Sequence, residues 1–333
     1  MFDCGEGTQI QCQRSSVRPG RFTRIFITHL HGDHLFGLPG FMCLVQGNVT
    51  GAATSSEPME LYGPVGLGQY LRTSLSLSGT DLIRPYVVHE IDIEDNYTAK
   101  QIEASELSRQ EVPGTIIKRR SDGSFLLFET SDYKVEAGIL SHRLPCVGFV
   151  VTEAPTVGTL DAAKLKELGV PPGPLYGKLK SGQSIAAPDG SVVTPDMVIG
   201  ENKRGRKVVI LGDTCDNTQI ESLSRGADVV VHEATHQDEL VEKALECGHS
   251  TPSMAAMFCQ KVGTRTLVLT HFSQRYKDDD IDEDVEDEII HRSELESVES
   301  EADVKTSYLV NQALRDGLNV IAAKDFFTFV ISR

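Results

Sequence analysis

Apolar residues in this chain come in short unbroken runs, and several of those runs stop at a polar residue able to bind a metal. Ile25-Phe26-Ile27 stops at Thr28-His29, Val208-Val209-Ile210-Leu211 at Gly212-Asp213, Val229-Val230-Val231 at His232-Glu233, and Leu267-Val268-Leu269 at Thr270-His271. Runs this short and this apolar predict strands buried on both faces. Helical stretches alternate with them, over Leu35 to Gln46, Val65 to Ser76 and Ser253 to Lys261. Thr251 stands where it could cap the last of these, Pro252 suits its first turn, and Gly263 can end it. Glu60-Leu61-Tyr62-Gly63-Pro64 predicts a short strand and turn, and Val147 to Thr152 another strand. Asp92 to Asp132 is polar and weakly periodic, which predicts a loop insertion and a hairpin with Phe125-Leu126-Leu127-Phe128 as one arm. The alternation predicts an α/β fold in which separate strands deliver polar residues to their carboxyl ends, as open α/β sheets present a site.

The richest of these ends is Thr28-His29-Leu30-His31-Gly32-Asp33-His34. Residues two apart on an extended chain point the same way, so His29 and His31 can reach one metal together. Gly32 predicts a tight turn, after which Asp33 and His34 leave in a new direction and suit a second metal. Imidazole and carboxylate are ligands that zinc accepts, and two metals about 3.5–4 Å apart clamp both oxygens of a displacement at phosphorus. His142, beside a strand end, is a candidate third ligand. Asp213, released from its strand by Gly212, is placed to bridge two metals, and His271 ends a further strand. His249 lies just outside a helix start; the plain alternative for it is a polar residue in a cap loop. His89, His232, His236 and His291 are read as structural or solvated.

This stretch resembles the H-x-H-x-D-H signature of the metallo-β-lactamase superfamily. The resemblance implies a four-layer αβ/βα sandwich with a dinuclear site, and leaves the substrate open. That superfamily normally begins with one or two strands ahead of Phe2-Asp3-Cys4-Gly5-Glu6-Gly7-Thr8, so the usual first strands are expected to be lacking here.

Charge changes the picture only once it is localised. The chain of 333 residues is 40% hydrophobic and 24% charged, with a net charge of −16. Fourteen acids against one arginine lie between Asp278 and Asp303, so −13 of that charge is local and the remainder carries −3. A block this dense predicts a solvated, disordered insertion over 278–303. The overall charge therefore neither supports nor excludes RNA as a partner. Seven cysteines with no C-x-x-C pair argue against a disulfide framework and for a reducing compartment. No apolar run approaches the ~18 residues a membrane span needs, and the N-terminus reads as neither signal nor transit peptide. A cytosolic protein is expected, compatible also with a nuclear pool.

Leu168 to Gly182 (LGVPPGPLYGKLKSG) is dense in Pro and Gly and carries Lys178 and Lys180; Ala154 to Gly182 has a net charge of +2. On composition alone this is a surface loop. The run from Gly169, with Gly173, Pro174, Lys178 and Lys180, resembles the exosite arm of tRNase Z, the tRNA 3′-processing endonuclease. Phe2 to Thr8, His232-Glu233-Ala234-Thr235, Gly248-His249-Ser250-Thr251 and Thr270 to Tyr276 are similar to that family too, most of all to its short, ELAC-type zinc phosphodiesterases.

The resemblance implies a set of roles. His29, His31 and His142 hold one zinc, Asp33, His34 and His271 the other, and Asp213 bridges them. A water activated by the metals attacks phosphorus, with Asp33 orienting it and taking its proton. His249, held by Glu233, protonates the leaving 3′ oxygen. An arm over residues 154–200, inserted in a single domain of residues 1–333, projects to grip precursor tRNA, and the enzyme is a homodimer with two zinc ions per subunit. The runner-up is a metallo-phosphodiesterase acting on small phosphodiesters, which would have no use for the arm. A third reading is an inactive form lacking its first strands, with a sheet neighbour left unpaired and apolar surface exposed.

Overall fold

The computed structural model describes residues 1–47, 57–94, 107–277 and 304–332. The acidic stretch expected to be a disordered insertion, residues 278–303, lies outside the described residues.

The strands, in chain order, are β1 (Arg24–Phe26), β2 (Met59–Pro64), β3 (Tyr86–Ile91), β4 (Glu111–Val112), β5 (Ile116–Ile117), β6 (Phe125–Glu129), β7 (Tyr133–Leu140), β8 (Cys146–Glu153), β9 (Ile185–Ala186), β10 (Val192–Val193), β11 (Lys207–Ile210), β12 (Val229–Glu233), β13 (Thr266–Thr270) and β14 (Asn319–Ala322). The helices are α1 (Thr8–Arg14), α2 (Gly32–Leu35), α3 (Leu38–Gly47), α4 (Leu67–Leu77), α5 (Ala162–Glu167), α6 (Pro174–Lys180), α7 (Pro195–Val198), α8 (Glu221–Ser224), α9 (Val241–Cys247), α10 (Pro252–Val262) and α11 (Thr306–Ala313). Two compact units divide them. Residues 1–129, 135–151 and 207–333 form one, and residues 130–134 with 152–206 the other.

In the larger unit β1 to β5 form a parallel-paired sheet, and β14-β13-β12-β11-β8-β7-β6 a second, with β11 to β14 parallel. Alternation along each strand decides what the two faces meet. Ile25, Ile27, Leu61, Tyr86 and Val88 point to a core shared with Leu38, Phe41 and Met42 of α3 and Leu71 of α4. Their neighbours point the other way. Phe26 stacks on Tyr62 at 5.2 Å and meets Phe149 of β8 at 5.5 Å and Phe128 of β6 at 6.2 Å. An aromatic seam therefore joins the sheets. On the far face of the second sheet, Val209, Val230, Leu267 and Leu269 pack on Ala255, Phe258 and Cys259 of α10 and on Ala313 of α11. The layers run helix, sheet, sheet, helix. Burial of side chains of this size gains roughly 1.5–3 kcal/mol each, so these three seams dominate cohesion.

The β1 edge facing away from β2 is not left bare. Phe26 donates its amide to the Met1 carbonyl at 2.8 Å, Asp3 donates to the Phe26 carbonyl at 2.7 Å, and the Phe2 ring stacks on Phe26 at 4.9 Å. Large exposed apolar side chains do gather at Phe326, Phe327, Phe329 and Val330.

The smaller unit corrects the reading of Leu168 to Gly182 as a loop. Proline at its first position starts α6, and the stretch closes on a core of its own: Leu165 of α5, Val170, Leu179 of α6, Ile185, Val193 and Val198 are all buried together. Lys178 and Lys180 lie on the exposed side of α6, and Gly173 and Pro174 at its start are exposed as well.

Thr251 does occupy the residue before α10, and Gly263 ends that helix in the left-handed region at φ 76°, but Thr251 makes no side-chain capping bond.

Candidate metal centre

The carboxyl ends of β1, β7, β11, β12 and β13 converge on one point, and each brings a polar side chain. His29 and His31 follow β1, His142 follows β7, Asp213 follows β11, Glu233 closes β12, and His271 follows β13. Gly32 does not make the expected turn. His31, extended at φ −67° and ψ 152°, caps α2, and Gly32 is that helix's first residue. A Cβ there would lie 2.4 Å from the ring of Phe36, an exposed side chain that would have to shift to admit it. One turn of helix then sets Asp33 and His34 beside the extended His29-Leu30-His31.

Two donor clusters share Asp213: His29, His31, His142 and Asp213 form one, and Asp33, His34, Asp213 and His271 the other; Glu233, His249 and His271 make a third group close enough to hold an ion. In the first, His31 Nδ1 lies 3.0 Å from His29 Nε2 and 3.1 Å from His142 Nε2. In the second, His34 Nε2 and His271 Nε2 are 3.3 Å apart, and Asp33 Oδ2 is 3.3 Å from His271 Nε2. Asp213 is split between them. Its Oδ2 faces His29 at 3.7 Å and His142 at 4.0 Å, and its Oδ1 faces His34 at 3.4 Å and His271 at 3.5 Å. One buried carboxylate thus turns an oxygen toward each cluster.

The partners behind the imidazoles settle which nitrogen carries the proton. His142 Nδ1 sits 2.7 Å from the Gly248 carbonyl oxygen, which only accepts. His34 Nδ1 sits 2.7 Å from Asp3 Oδ2, also an acceptor. His29 Nδ1 lies 3.0 Å from Thr28 Oγ1, whose own proton goes to Asp3 Oδ2 at 2.9 Å, so it receives from His29. His271 Nδ1 lies 2.9 Å from Thr235 Oγ1, whose proton goes to the Glu233 carboxylate. All four rings therefore hold Nδ1–H outward and leave Nε2 facing inward, to meet a metal or a second proton. Lone pairs meeting about 3 Å apart repel unless a cation sits among them. Neutral imidazoles and carboxylates are the donor chemistry of zinc, and the residues present fit it.

Electrostatics distinguish the rings. Burial depresses the His29 pKa to about 3, helped by neighbouring His34, so this ring is neutral and free to ligate. Burial pushes His34 down too, but its hydrogen bonds to Asp213 and Asp3 outweigh that and raise it to about 10. For Asp213 burial acts upward, yet the His34 hydrogen bond and the His271 and His34 charges hold it well below the carboxylate range. The His271 hydrogen bond is the main reason that Asp33 falls to about 2. The ionised carboxylates, Asp213 buried and Asp33 exposed, call for positive charge, from protons on the rings or from metal ions.

Beside the clusters, His249 Nδ1 lies 3.0 Å from Glu233 Oε1. The Thr214 amide donates to that same oxygen at 2.8 Å, fixing the carboxylate from behind. All seven residues expected to ligate, with Glu233 and His249, are brought together. Gly173, Pro174, Lys178 and Lys180 belong to the smaller unit.

Two residues were missed as site residues. Asp3 holds His34, and also accepts from the Thr28 amide at 2.7 Å, from a left-handed backbone at φ 52° that a non-glycine residue rarely adopts. Thr235 joins Glu233 to His271. Both lie in stretches noticed for their resemblance, but nothing in residue type or spacing tells which side chain a lone Asp or Thr will meet.

Gly248 offers a local test. It ends α9 at φ 77°, and a Cβ there would come within 2.9 Å of His142 Nδ1. Gly248→Ala is expected to cost about 1–2 kcal/mol for the left-handed backbone and to dislodge His142. Denaturant unfolding and zinc affinity should both fall; a variant with weaker folding but unchanged zinc affinity would show that His142 is held by something else.

Residues 1–58 match the model of the metallo-β-lactamase superfamily. The human zinc phosphodiesterase ELAC protein 1 is 46% identical over 288 residues, covering 83% of this chain and 79% of that protein. Ribonuclease Z of Microcystis aeruginosa is 37% identical over 276 residues, covering 83% and 76%. The crystal structure of human tRNase Z, short form, superposes with a TM-score of 0.62 at 33% identity, covering all of this chain and 88% of that one.

Proposed function

The chain belongs to the ELAC-type zinc phosphodiesterase, or ribonuclease Z, family of the metallo-β-lactamase superfamily, and on that premise we propose that it is a zinc-dependent endoribonuclease that removes the 3′ trailer from precursor tRNA. The observation that carries this reading is the pair of donor clusters sharing Asp213, with the His249–Glu233 pair alongside. A nuclease of this kind needs just these parts: two metal positions at the phosphate and a proton donor at the leaving oxygen.

His29, His31 and His142 would hold one zinc ion and Asp33, His34 and His271 the other, with Asp213 shared. Zinc supplies Lewis acidity at the phosphate oxygens and lowers the pKa of water toward ~7. The chain's own residues do the rest. Asp33, half exposed and fully ionised, orients the attacking water and takes its proton as the oxygen adds to phosphorus. The bond from phosphorus to the 3′ oxygen breaks, and His249 gives that oxygen a proton. Because Glu233 engages Nδ1 of His249, Nε2 is the nitrogen left to deliver it. The products are a tRNA with a 3′ hydroxyl and a trailer with a 5′ phosphate.

Incubation with a precursor tRNA and mapping of both new ends tests this directly. A trailer bearing a 5′ hydroxyl would refute it, and hydrolysis of nitrophenyl phosphodiesters with no cutting of precursor would favour the small-phosphodiester reading.

The smaller unit is assigned substrate grip. Lys178 and Lys180 are exposed on α6, and lysine contacts with phosphate are salt-sensitive and indifferent to sequence. Replacing both with Ala should weaken tRNA binding and lower the slope of log affinity against log salt by up to about 2, near 0.9 per lost phosphate contact. Nitrophenyl ester hydrolysis should be spared; equal loss of both activities would place these lysines elsewhere in the mechanism. We further assign a homodimer, the unit of one subunit gripping the tRNA that the other cuts, which sedimentation velocity of the free protein tests.

A further inference from the structure

We propose that Thr235 is a positioning residue that couples the metal position at His271 to the proton donor His249, so that neither is set independently of the other. The inference rests on the functional reading above and deepens it. Its basis is a chain of hydrogen bonds with only one consistent direction.

Thr235 is nine-tenths buried at the end of β12, and its single hydroxyl stands among four polar atoms. Oγ1 makes a short contact with Glu233 Oε2, lies 2.9 Å from His271 Nδ1, 3.0 Å from the His271 carbonyl oxygen and 3.4 Å from His249 Nδ1. A hydroxyl has one proton to give. The charged carboxylate, at the shorter distance, takes it ahead of the neutral carbonyl. Oγ1 is then an acceptor toward His271 Nδ1, so that ring must carry its proton there and turn the Nε2 lone pair to the cluster. On the other side, Glu233 Oε2 is occupied by Thr235, and the Thr235 amide points at the same oxygen from 3.3 Å. His249 Nδ1 is left with Oε1, at 3.0 Å. The order is therefore His271 Nδ1–H to Thr235, Thr235 to Glu233, and His249 Nδ1–H to the same carboxylate's second oxygen.

Reversing any one member breaks the rest. If Thr235 turned its proton to the His271 carbonyl, Glu233 Oε2 would lose its hydroxyl donor, and the carboxylate that engages His249 would be held only by the Thr214 and Thr235 amides. If His271 carried its proton on Nε2, its Nδ1 would face Thr235 as a second acceptor and its lone pair would leave the cluster. His271 itself sits in the left-handed region at φ 57°, a conformation held only by its surroundings. The Thr235 hydroxyl and amide are among those surroundings. The other cluster reaches His249 by a different route: His142 is oriented by the carbonyl of Gly248, the residue before His249, and His29 by Thr28.

Zinc titration of the intact chain against a chromophoric chelator, with Thr235→Val and Thr235→Ser, tests the coupling. Valine keeps the shape and removes the hydroxyl; serine keeps the hydroxyl. Partners that orient a metal's histidines typically contribute about 10–100-fold in affinity. The expected result is that Thr235→Val weakens one of two zinc affinities by about that factor and leaves the other unchanged. Thr235→Val should also lose more turnover on precursor tRNA than on a bis-nitrophenyl phosphodiester, whose leaving group needs little protonation, and Thr235→Ser should recover most of both losses. Equal weakening of both zinc sites, or loss of affinity with the same turnover loss on both substrates, would overturn the coupling. Wild-type protein that binds two zinc ions but cuts no precursor would instead refute the proposed substrate, while the affinity arm of the test still stands.

Discussion

Asp213→Ala is expected to lose both zinc ions, and with them all detectable turnover. The reason is geometric. Oδ1 faces His34 and His271 while Oδ2 faces His29 and His142, and the carboxylate is 3% exposed. Removal leaves the first cluster with three neutral imidazoles and the second without a buried negative charge. Replacing a terminal ligand such as His31 should weaken one position more than the other. Elemental analysis after dialysis separates the cases: near-zero metal in Asp213→Ala, a partial content in His31→Ala. Full metal content in Asp213→Ala would end the bridging assignment. Asp213→Asn, which keeps the shape without the charge, should fall nearer to Ala than to wild type if charge matters more than contact.

The second large effect belongs to His249→Ala. Precursor tRNA should still bind, because grip is assigned to the smaller unit and His249 lies outside the two donor clusters that share Asp213. The leaving 3′ oxygen would depart unprotonated. General-acid catalysis contributes about 10²–10⁴-fold, and single-turnover cleavage should drop within that range. Hydrolysis of a nitrophenyl ester should suffer far less. Cleavage of precursor at the wild-type rate would remove His249 from the mechanism. A Glu233→Gln variant should show a smaller loss of the same kind, since it can keep a hydrogen bond that orients His249 while losing the carboxylate's charge.

His29, Asp213, Glu233 and His271 stood out as candidates because each follows or closes a short apolar run, and strand ends are where an α/β sheet gathers its site. That logic needs no tertiary knowledge for Asp213, Glu233 or His271. It reached His142 only as a candidate, since the Gly248 carbonyl that orients it is 106 residues away in sequence. Asp3 and Thr235 stayed out of reach for a related reason. Their importance lies in which side chain they meet, and short polar residues carry no periodic signal. Gly32 was read as a turn because glycine permits one, whereas it is the first residue of a helix. The smaller unit misled by composition. Three prolines and four glycines between Leu168 and Gly182 look like a loop, but Leu165, Val170 and Leu179 are spaced to close a small core around them. Thr251 shows the converse, a residue well placed to cap whose hydroxyl makes no such bond.

Asp3 ties one short segment to the metal centre. Met1–Asp3 gives the Phe26 amide its acceptor, takes the Thr28 amide and holds His34 Nδ1. Opening that segment would release all three in one event, so local opening and the freedom of His34 are the same motion. Metal affinity at this centre would then be partly a local folding free energy, stored in three residues, and an occupied centre would act as a clamp on the segment.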